Sequence, residues 1–326
     1  MTNSLPLHLD SRGESVRDLQ RRLHSFELGT DPDLPGDFGA GTVRAVADFQ
    51  RRYGIEPSGV CDDHTWATLV EAGYRLGDRQ LYHRSPMMRG DDIADLQRRL
   101  GALGFDPGRV DGIFGPLTRA ALAEFQRNVG LHPDGISGPG TVDALQRLGA
   151  DRTTAVPVSH VRQAQRLREA DPGLRRRRIA VAQPGGLGAL AHELQHALHN
   201  EGAEVLLLQH PDPSEQARRA NAYHADVFVA VRVTDEPRAQ AVFFRGLVDE
   251  SPAGRRLADL VTAALGTVVP DPPGAPTGRR SPELRETQMP AVLIELGPTV
   301  DVVRHNDRYV AAIVAALRVW TLQPAP

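Results

Sequence analysis

The sequence predicts a multidomain chain: two small three-helix, all-α repeats followed by an α/β domain with a largely parallel sheet flanked by helices. Three observations carry this expectation. A pattern of apolar, glutamine and glycine positions in the first half recurs after about 76 residues. From Ile179 onward, short β-rich runs alternate with helical patterns. Pro and Gly clusters punctuate both halves. The expected boundaries are 1–75 and 76–150 for the repeats, 151–174 for a connector and 175–326 for the α/β domain.

Composition sets the class. The chain has 326 residues, 40% of them hydrophobic, with a mean hydropathy of −0.33. That describes a globular protein, and the length suits two or three domains. Net charge is −3, which gives no case for a nucleic-acid partner. All 38 basic residues are Arg. Cys61 is the single cysteine, which excludes an intramolecular disulfide and a cysteine-based zinc site. No apolar stretch reaches transmembrane length, so membrane insertion is not expected. The first residues, MTNSLPLHLDSRGESV, lack a basic region and an apolar run of signal-peptide length. A cytoplasmic location is the expectation that follows.

Each repeat reads as three short helices. Val16, Leu19 and Leu23 share a helical face in the first, as do Ile93, Leu96 and Leu100 in the second. Leu19-Gln20-Arg21-Arg22-Leu23 recurs as Leu96-Gln97-Arg98-Arg99-Leu100, and Phe49-Gln50-Arg51 as Phe125-Gln126-Arg127. A turn, Val110-Asp111-Gly112-Ile113-Phe114-Gly115, leads to Pro116, which suits a first helical position. A second turn at Asp134-Gly135 precedes a last helix ending near Leu145. These motifs resemble the type 1 peptidoglycan-binding domain, with the second repeat, Gly90 to Leu145, matching nearly throughout. The first, Gly13 to Leu69, departs at Gly36-Asp37-Phe38-Gly39 and at Gly59-Val60-Cys61-Asp62. Most matched positions are core or turn positions, so the resemblance implies the fold more firmly than it implies glycan binding.

The connector holds one expected helix around Val161–Arg168, ended by Pro172-Gly173. Arg175 to Arg178 reads as a solvated lead-in to a strand. Expected strands are Ile179–Ala182, Glu204–Gln209, Asp226–Val233, Gln240–Phe244 and Ala291–Leu296. Expected helices are Leu187–Glu201, Pro213–His224, Pro252–Leu265 and Val300–Trp320. Pro270 to Arg280 reads as a loop. In such sheets chemistry gathers at the carboxyl ends of strands. Gly185-Gly186, Arg232 and Glu295 sit there, Glu193 lies on the first helix, and the four are expected to converge.

One motif invites a different reading. His192-Glu193-Leu194-Gln195-His196 has the spacing of a zinc-protease helix. Yet Leu187, Leu190, Ala191, Leu194, Ala197 and Leu198 form the apolar arc, which sends His192, His196 and His199 to the opposite, solvated side. The motif is therefore expected to be a decoy.

The last half resembles the zinc-dependent N-acetylmuramoyl-L-alanine amidases of the amidase type 3 family. Pro290-Ala291-Val292-Leu293-Ile294-Glu295-Leu296-Gly297 matches the family's late strand, which implies Glu295 at the catalytic position. Glu193 matches the second zinc ligand, and Ala225–Arg232 the strand that ends in the third. Two ligands depart. Gly186 stands where the family has its first His, in Gln183-Pro184-Gly185-Gly186, and Arg232 replaces the second His. Catalytic zinc takes about three protein ligands and an open water position. An arginine offers no lone pair and brings a fixed positive charge. The zinc of the family is therefore expected to be lost, and Arg232 to pair with Glu193 or Glu295. Ligation could otherwise shift to His192, His196 or His224, although the wheel opposes the first two.

The resemblance implies a catalytically inactive, amidase-fold regulator of a kind found in actinobacteria. It would act in the cytoplasm by contact with the UDP-N-acetylglucosamine enolpyruvyl transferase of peptidoglycan precursor synthesis. Partners implied with it are a Ser/Thr kinase and phospho-reader proteins, with Thr321 a candidate phosphosite. Two alternatives stay open: a working zinc amidase acting on peptidoglycan, and a sensor of peptidoglycan fragments or of lipid-linked precursor.

Overall fold

The computed structural model describes residues 5–149, 158–246, 249–269 and 274–322. The chain divides into two compact units, Met1–Val161 and Arg162–Pro326.

The first unit is all-helical. α1 (Glu14–Ser25), α2 (Ala40–Arg52) and α3 (Asp63–Ala72) form one repeat; α4 (Asp91–Ala102), α5 (Pro116–Asn128) and α6 (Pro139–Gly149) form the other. Pro116 opens α5 as expected. Each repeat has its own small core. Val16, Leu19, Leu23, Phe38, Val46 and Phe49 fill the first, and Ile93, Leu96, Leu100, Phe114, Leu122 and Phe125 the second. α7 (Val158–Glu169) follows, where a connector helix was predicted.

Four buried glutamines explain the repeated Leu-Gln and Phe-Gln motifs. Gln97 accepts from the amides of Asp111 (3.1 Å) and Gly112 (2.9 Å) through Oε1. Its Nε2 donates to Asp111 Oδ1, the Ile113 carbonyl and Thr118 Oγ1. Gln126 repeats the device one turn later: Gly135 N donates to Oε1, and Nε2 reaches Asp134 Oδ1, the Ile136 carbonyl and Thr141 Oγ1. Gln20 and Gln50 do the same in the first repeat, ending on Thr42 and Thr65. A core this small leaves little margin for an unpaired amide, so each turn is held by one side chain that fills both hydrogen-bonding roles. Ser58 takes the place of Asp134 in the first repeat, and Gln50 donates to its hydroxyl instead.

The second unit is a six-stranded sheet between helices. Its strands are β1 (Arg178–Gln183), β2 (Glu204–Gln209), β3 (Val227–Val233), β4 (Arg238–Phe244), β5 (Thr277–Arg279) and β6 (Ala291–Gly297), in the order β2-β1-β3-β6-β4-β5. β2, β1, β3 and β6 run parallel, and β4 runs antiparallel to β6. The helices are α8 (Gly188–Asn200), α9 (Pro213–Ala222), α10 (Pro252–Leu265), α11 (Pro282–Arg285), α12 (Thr299–Arg304) and α13 (Asn306–Leu322). Period-2 alternation divides the sheet's residues. Ile179, Val181, Val229, Val231, Val292 and Ile294 pack with α8, α10 and α13. Ala180, Ala182, Phe228, Ala230 and Leu293 pack on the other face with Ala220 of α9 and Leu284 of α11. Trp320 is fully buried and donates its indole N–H to the Ala253 carbonyl at 3.1 Å.

Four expectations are corrected. The stretch read as a loop from Pro270 to Arg280 contains β5, an edge strand parallel to β4; Pro270 to Pro273 lie outside the described residues. The single helix expected over Val300–Trp320 is two, α12 and α13, separated at His305. α11 was not expected at all. Arg177, in the run read as solvated, is buried and donates to the carbonyls of Asp171 and Gly173. Among the described residues, no helix is long and apolar enough to cross a membrane.

Candidate functional site

The parallel pairing of β3 and β6 sets Arg232 directly opposite Glu295. The antiparallel pairing of β4 sets Gln240 opposite Glu295 on its other side. Since side chains alternate, Arg232, Arg238, Arg279 and Glu295 all fall on the sheet face that α9 and α11 cover. Glu295 is 3% exposed. Its Oε1 accepts from Arg279 Nη1 at 2.7 Å and lies 4.0 Å from Arg232 Nη1; its Oε2 accepts from Arg238 Nη1 at 3.3 Å. Three guanidinium groups from three strands thus surround one carboxylate.

Arg232 has a stronger partner than either expected one. Its Nη2 donates to Glu283 Oε1 at 2.7 Å. Glu283 arrives on α11, and burial pushes its carboxyl above the usual carboxylate range, with Arg232 pulling the other way. Its second oxygen, Oε2, is buried, and the Glu283 backbone amide and the Ser281 side chain act with Arg232 to lower the carboxyl against the effect of burial. Beside this pair lies a small, open depression of about 20 Å³, bounded by Pro184, Pro211, Pro213, Gln216, Arg232 and Glu283.

Glu193 does not join the cluster, contrary to expectation. It is exposed on α8, on the other side of the sheet, and accepts from the Asn306 side chain. His192, His196 and His199 are exposed on the same helix, where the wheel placed them; His192 Nδ1 meets the Gly188 carbonyl and His199 Nδ1 the Ala203 carbonyl. Gly186 has φ +83°, and a Cβ there meets nothing closer than Val233 Cγ1 at 3.9 Å. Space for a side chain exists, but the left-handed backbone disfavours any residue with a Cβ.

These residues do not fit a zinc ion. Gly186 offers no donor, Arg232 offers a cation, Glu295 is enclosed by three arginines, and Glu193 faces away from them. Among the described residues, no group of three or more His, Cys, Asp or Glu is placed to hold a metal. Arg238, Arg279 and Glu283 escaped the sequence reading. Ser281-Pro282-Glu283 is a usable signal, since Ser then Pro commonly opens a helix.

A six-stranded, mostly parallel sheet covered on both faces, with a matching late strand, defines an amidase-like protein. Residues 12–69 and 89–145 match the putative peptidoglycan binding domain, and residues 187–312 match the N-acetylmuramoyl-L-alanine amidase domain. The amidase match begins directly after the Gly185-Gly186 turn. The chain belongs to the N-acetylmuramoyl-L-alanine amidase family, with two peptidoglycan-binding domains ahead of the amidase-like one. It is 32% identical over 292 residues to N-acetylmuramoyl-L-alanine amidase CwlM of Mycobacterium tuberculosis, covering 80% of this chain and 71% of that protein. It is 32% identical over 161 residues to N-acetylmuramoyl-L-alanine amidase CwlL of Bacillus licheniformis, covering 42% of this chain and 44% of that one. Among solved structures, the amidase AmiC2 of Nostoc punctiforme aligns with a TM-score of 0.36 and 16% identity, over 46% of this chain and 98% of that one.

Proposed function

We propose that this chain is a pseudo-amidase: it keeps the amidase fold, lacks amidase chemistry, and acts by protein contact in the control of peptidoglycan precursor synthesis. The observation that carries the reading is Arg232, ion-paired to Glu283 and beside Glu295 where a neutral metal ligand is needed. A guanidinium has no lone pair to give and repels a divalent cation. With no metal to lower the pKa of a bound water, Glu295 has no activated nucleophile to assist. Its own oxygens are moreover engaged by Arg279 and Arg238.

The expected target is the enolpyruvyl transferase that opens precursor synthesis, in the cytoplasm, and phosphorylation is the expected switch. Thr321 is a poor acceptor for a kinase, being buried with its hydroxyl donating to the Arg318 carbonyl.

Calorimetry of metal-stripped protein with zinc is the test. No heat is expected from the parent. Tight one-site binding by the parent, followed by release of peptide from peptidoglycan, overturns the reading. Absence of any effect on the transferase, with or without phosphorylation, removes the regulatory half while leaving the inactive site in place.

A further inference from the structure

We propose that the outer edge of β2 is a dimer interface, where the same strand of a second copy of this chain pairs with it antiparallel and the two sheets become one. The inference goes beyond the reading above and does not depend on it, since Arg232, Arg238, Arg279, Glu283 and Glu295 take no part.

The main chain of β2 is half used. β2 closes one side of the sheet and has β1 as its single strand neighbour. Glu204 N donates to the Arg177 carbonyl and His210 N to that of Gln183, so the even-numbered residues turn their main-chain groups toward β1. Val205, Leu207 and Gln209 therefore turn theirs outward, and no described residue hydrogen-bonds to them there. Nothing within the strand blunts this edge. Glu204–Gln209 has six residues, no Pro, no Lys and no bulge, and Val205, Leu206 and Leu207 stay partly exposed. The opposite edge, β5, is only three residues long, and a short edge strand discourages pairing.

The strand is complementary to itself, and this selects a second copy as the occupant. A two-fold axis normal to the sheet at Leu207 sets Leu207 against its own copy and Val205 against Gln209 of the second copy, with the reciprocal pair beyond. Every outward N–H and C=O is then bonded across the axis. On the α9 face, alternation aligns Glu204, Leu206, Leu208 and His210 with His210, Leu208, Leu206 and Glu204 of the second copy. The leucine pairs cover Leu206, and a carboxylate meets an imidazole at each end. His210 is oriented for that role. Its Nδ1 accepts from the Asp212 amide at 3.1 Å, with the Asp212 carbonyl more distant at 3.4 Å, which leaves the proton on Nε2 to donate to the carboxylate. On the other face α8 packs over β1 and β2, so across the axis its copy lies about 10 Å away, the ordinary spacing of packed helices. Glu193 of α8 is held by Asn306 of α13, which turns Gln195 and His199 toward the axis. Polar residues there suit a wet rim.

The experiment is sedimentation of the full chain over a range of concentrations, with amide exchange read at Val205, Leu207 and Gln209. A reversible dimer is expected, and those three amides are expected to exchange more slowly as it forms. Gln209→Pro removes an outward N–H and no bond to β1, so it is expected to keep the fold and weaken the dimer by about tenfold or more. If that variant does not fold, a charge exchange serves in its place. His210→Glu sets two carboxylates opposite each other at both ends of the interface and is expected to weaken the dimer by about tenfold. Adding Glu204→Arg is expected to restore it. A chain that stays monomeric at every concentration overturns the proposal. So does a dimer in which the three amides stay unprotected, since it forms through another surface, and so does a His210→Glu loss that Glu204→Arg leaves unchanged. Zinc calorimetry is independent: tight zinc binding by the parent overturns the proposed function and leaves the dimer standing.

Discussion

The helical repeats and the strand-end cluster both bury polar side chains, and they satisfy them in opposite ways. In the repeats a neutral amide clasps a turn, and the same device appears four times. In the sheet, charges hold one another: Arg279, Arg238 and Arg232 around Glu295, with Glu283 beyond. The first arrangement tolerates a change of partner, since Ser58 stands in for Asp134 without leaving a charge unpaired. The second does not, because each carboxylate removed strands guanidinium groups near the interior. A partner of the clasping glutamine can therefore change in the repeats and leave the fold intact, whereas changes at the strand ends must come in sets.

The largest effect tests the amide half of that contrast. Gln97→Leu keeps the volume and strips the Asp111 and Gly112 amides of their acceptor. A loss of about 3–5 kcal/mol is expected from several buried groups left unpaired at once. Amide exchange in α4 and α5 measures it, and a loss under about 1 kcal/mol would show that the turn holds without its clasp.

Next comes the charged half. Glu295→Gln removes the carboxylate shared by three arginines. About 2–3 kcal/mol is expected, below the usual cost of breaking a buried pair because Arg232 and Arg238 are partly exposed. Urea unfolding followed at Trp320 reads this unit, while Trp66 reports on the first repeat. An unchanged Trp320 midpoint would mean that the arginines find water without strain.

A smaller effect separates backbone from chemistry. Gly186→His places a side chain at φ +83°, which costs about 1–2 kcal/mol whatever it coordinates. Thermal melting without metal gives that cost. If it is nil, the turn is free to refold around a restored ligand.

The smallest effect is a pH dependence inside the repeats. Asp134 is held below the usual carboxyl range by the Ile136 amide and the Gln126 side chain. Burial raises Asp33, but the amides of Thr42, Gly41 and Gly39 outweigh it and leave its carboxyl lowered as well. A lowered folded-state pKa favours the fold above the ordinary value of 3.8 and loses that contribution as pH falls through the lowered one. Exchange protection in both repeats should thus weaken as the solution is acidified below that value. Asp134→Ser should flatten the dependence in the second repeat alone; a profile identical to the parent's would place the acid sensitivity elsewhere.

Much of this architecture was legible in the residues. The repeats announced themselves through Leu-Gln and Phe-Gln pairs, and β1, β2, β3 and β6 through β-branched runs bounded by turns. β5 escaped because three residues after a Pro- and Gly-rich stretch give no period to read; it exists through its pairing to β4. Missing β5 hid Arg279, and missing α11 hid Glu283. Gly186 and Arg232 were readable as departures from a pattern. Their consequence was not, since the partner of Arg232 lies 51 residues further along the chain and only the fold brings it near. Glu193 failed for the converse reason: its position on a helix was clear, but which side of the sheet that helix covers is a tertiary fact.

Cys61 gives the first repeat a built-in clock. It is fully buried, its backbone pairs with Leu7, and burial together with Asp62 and Asp63 pushes its thiol up to about 12. No other sulfhydryl exists in the chain, so a thiol-reactive dye can label only molecules in which this repeat has opened. The labelling rate then counts openings of that one module, in the intact protein and without a mutation. Comparing the rate with and without peptidoglycan fragments asks whether the first repeat feels a ligand at all.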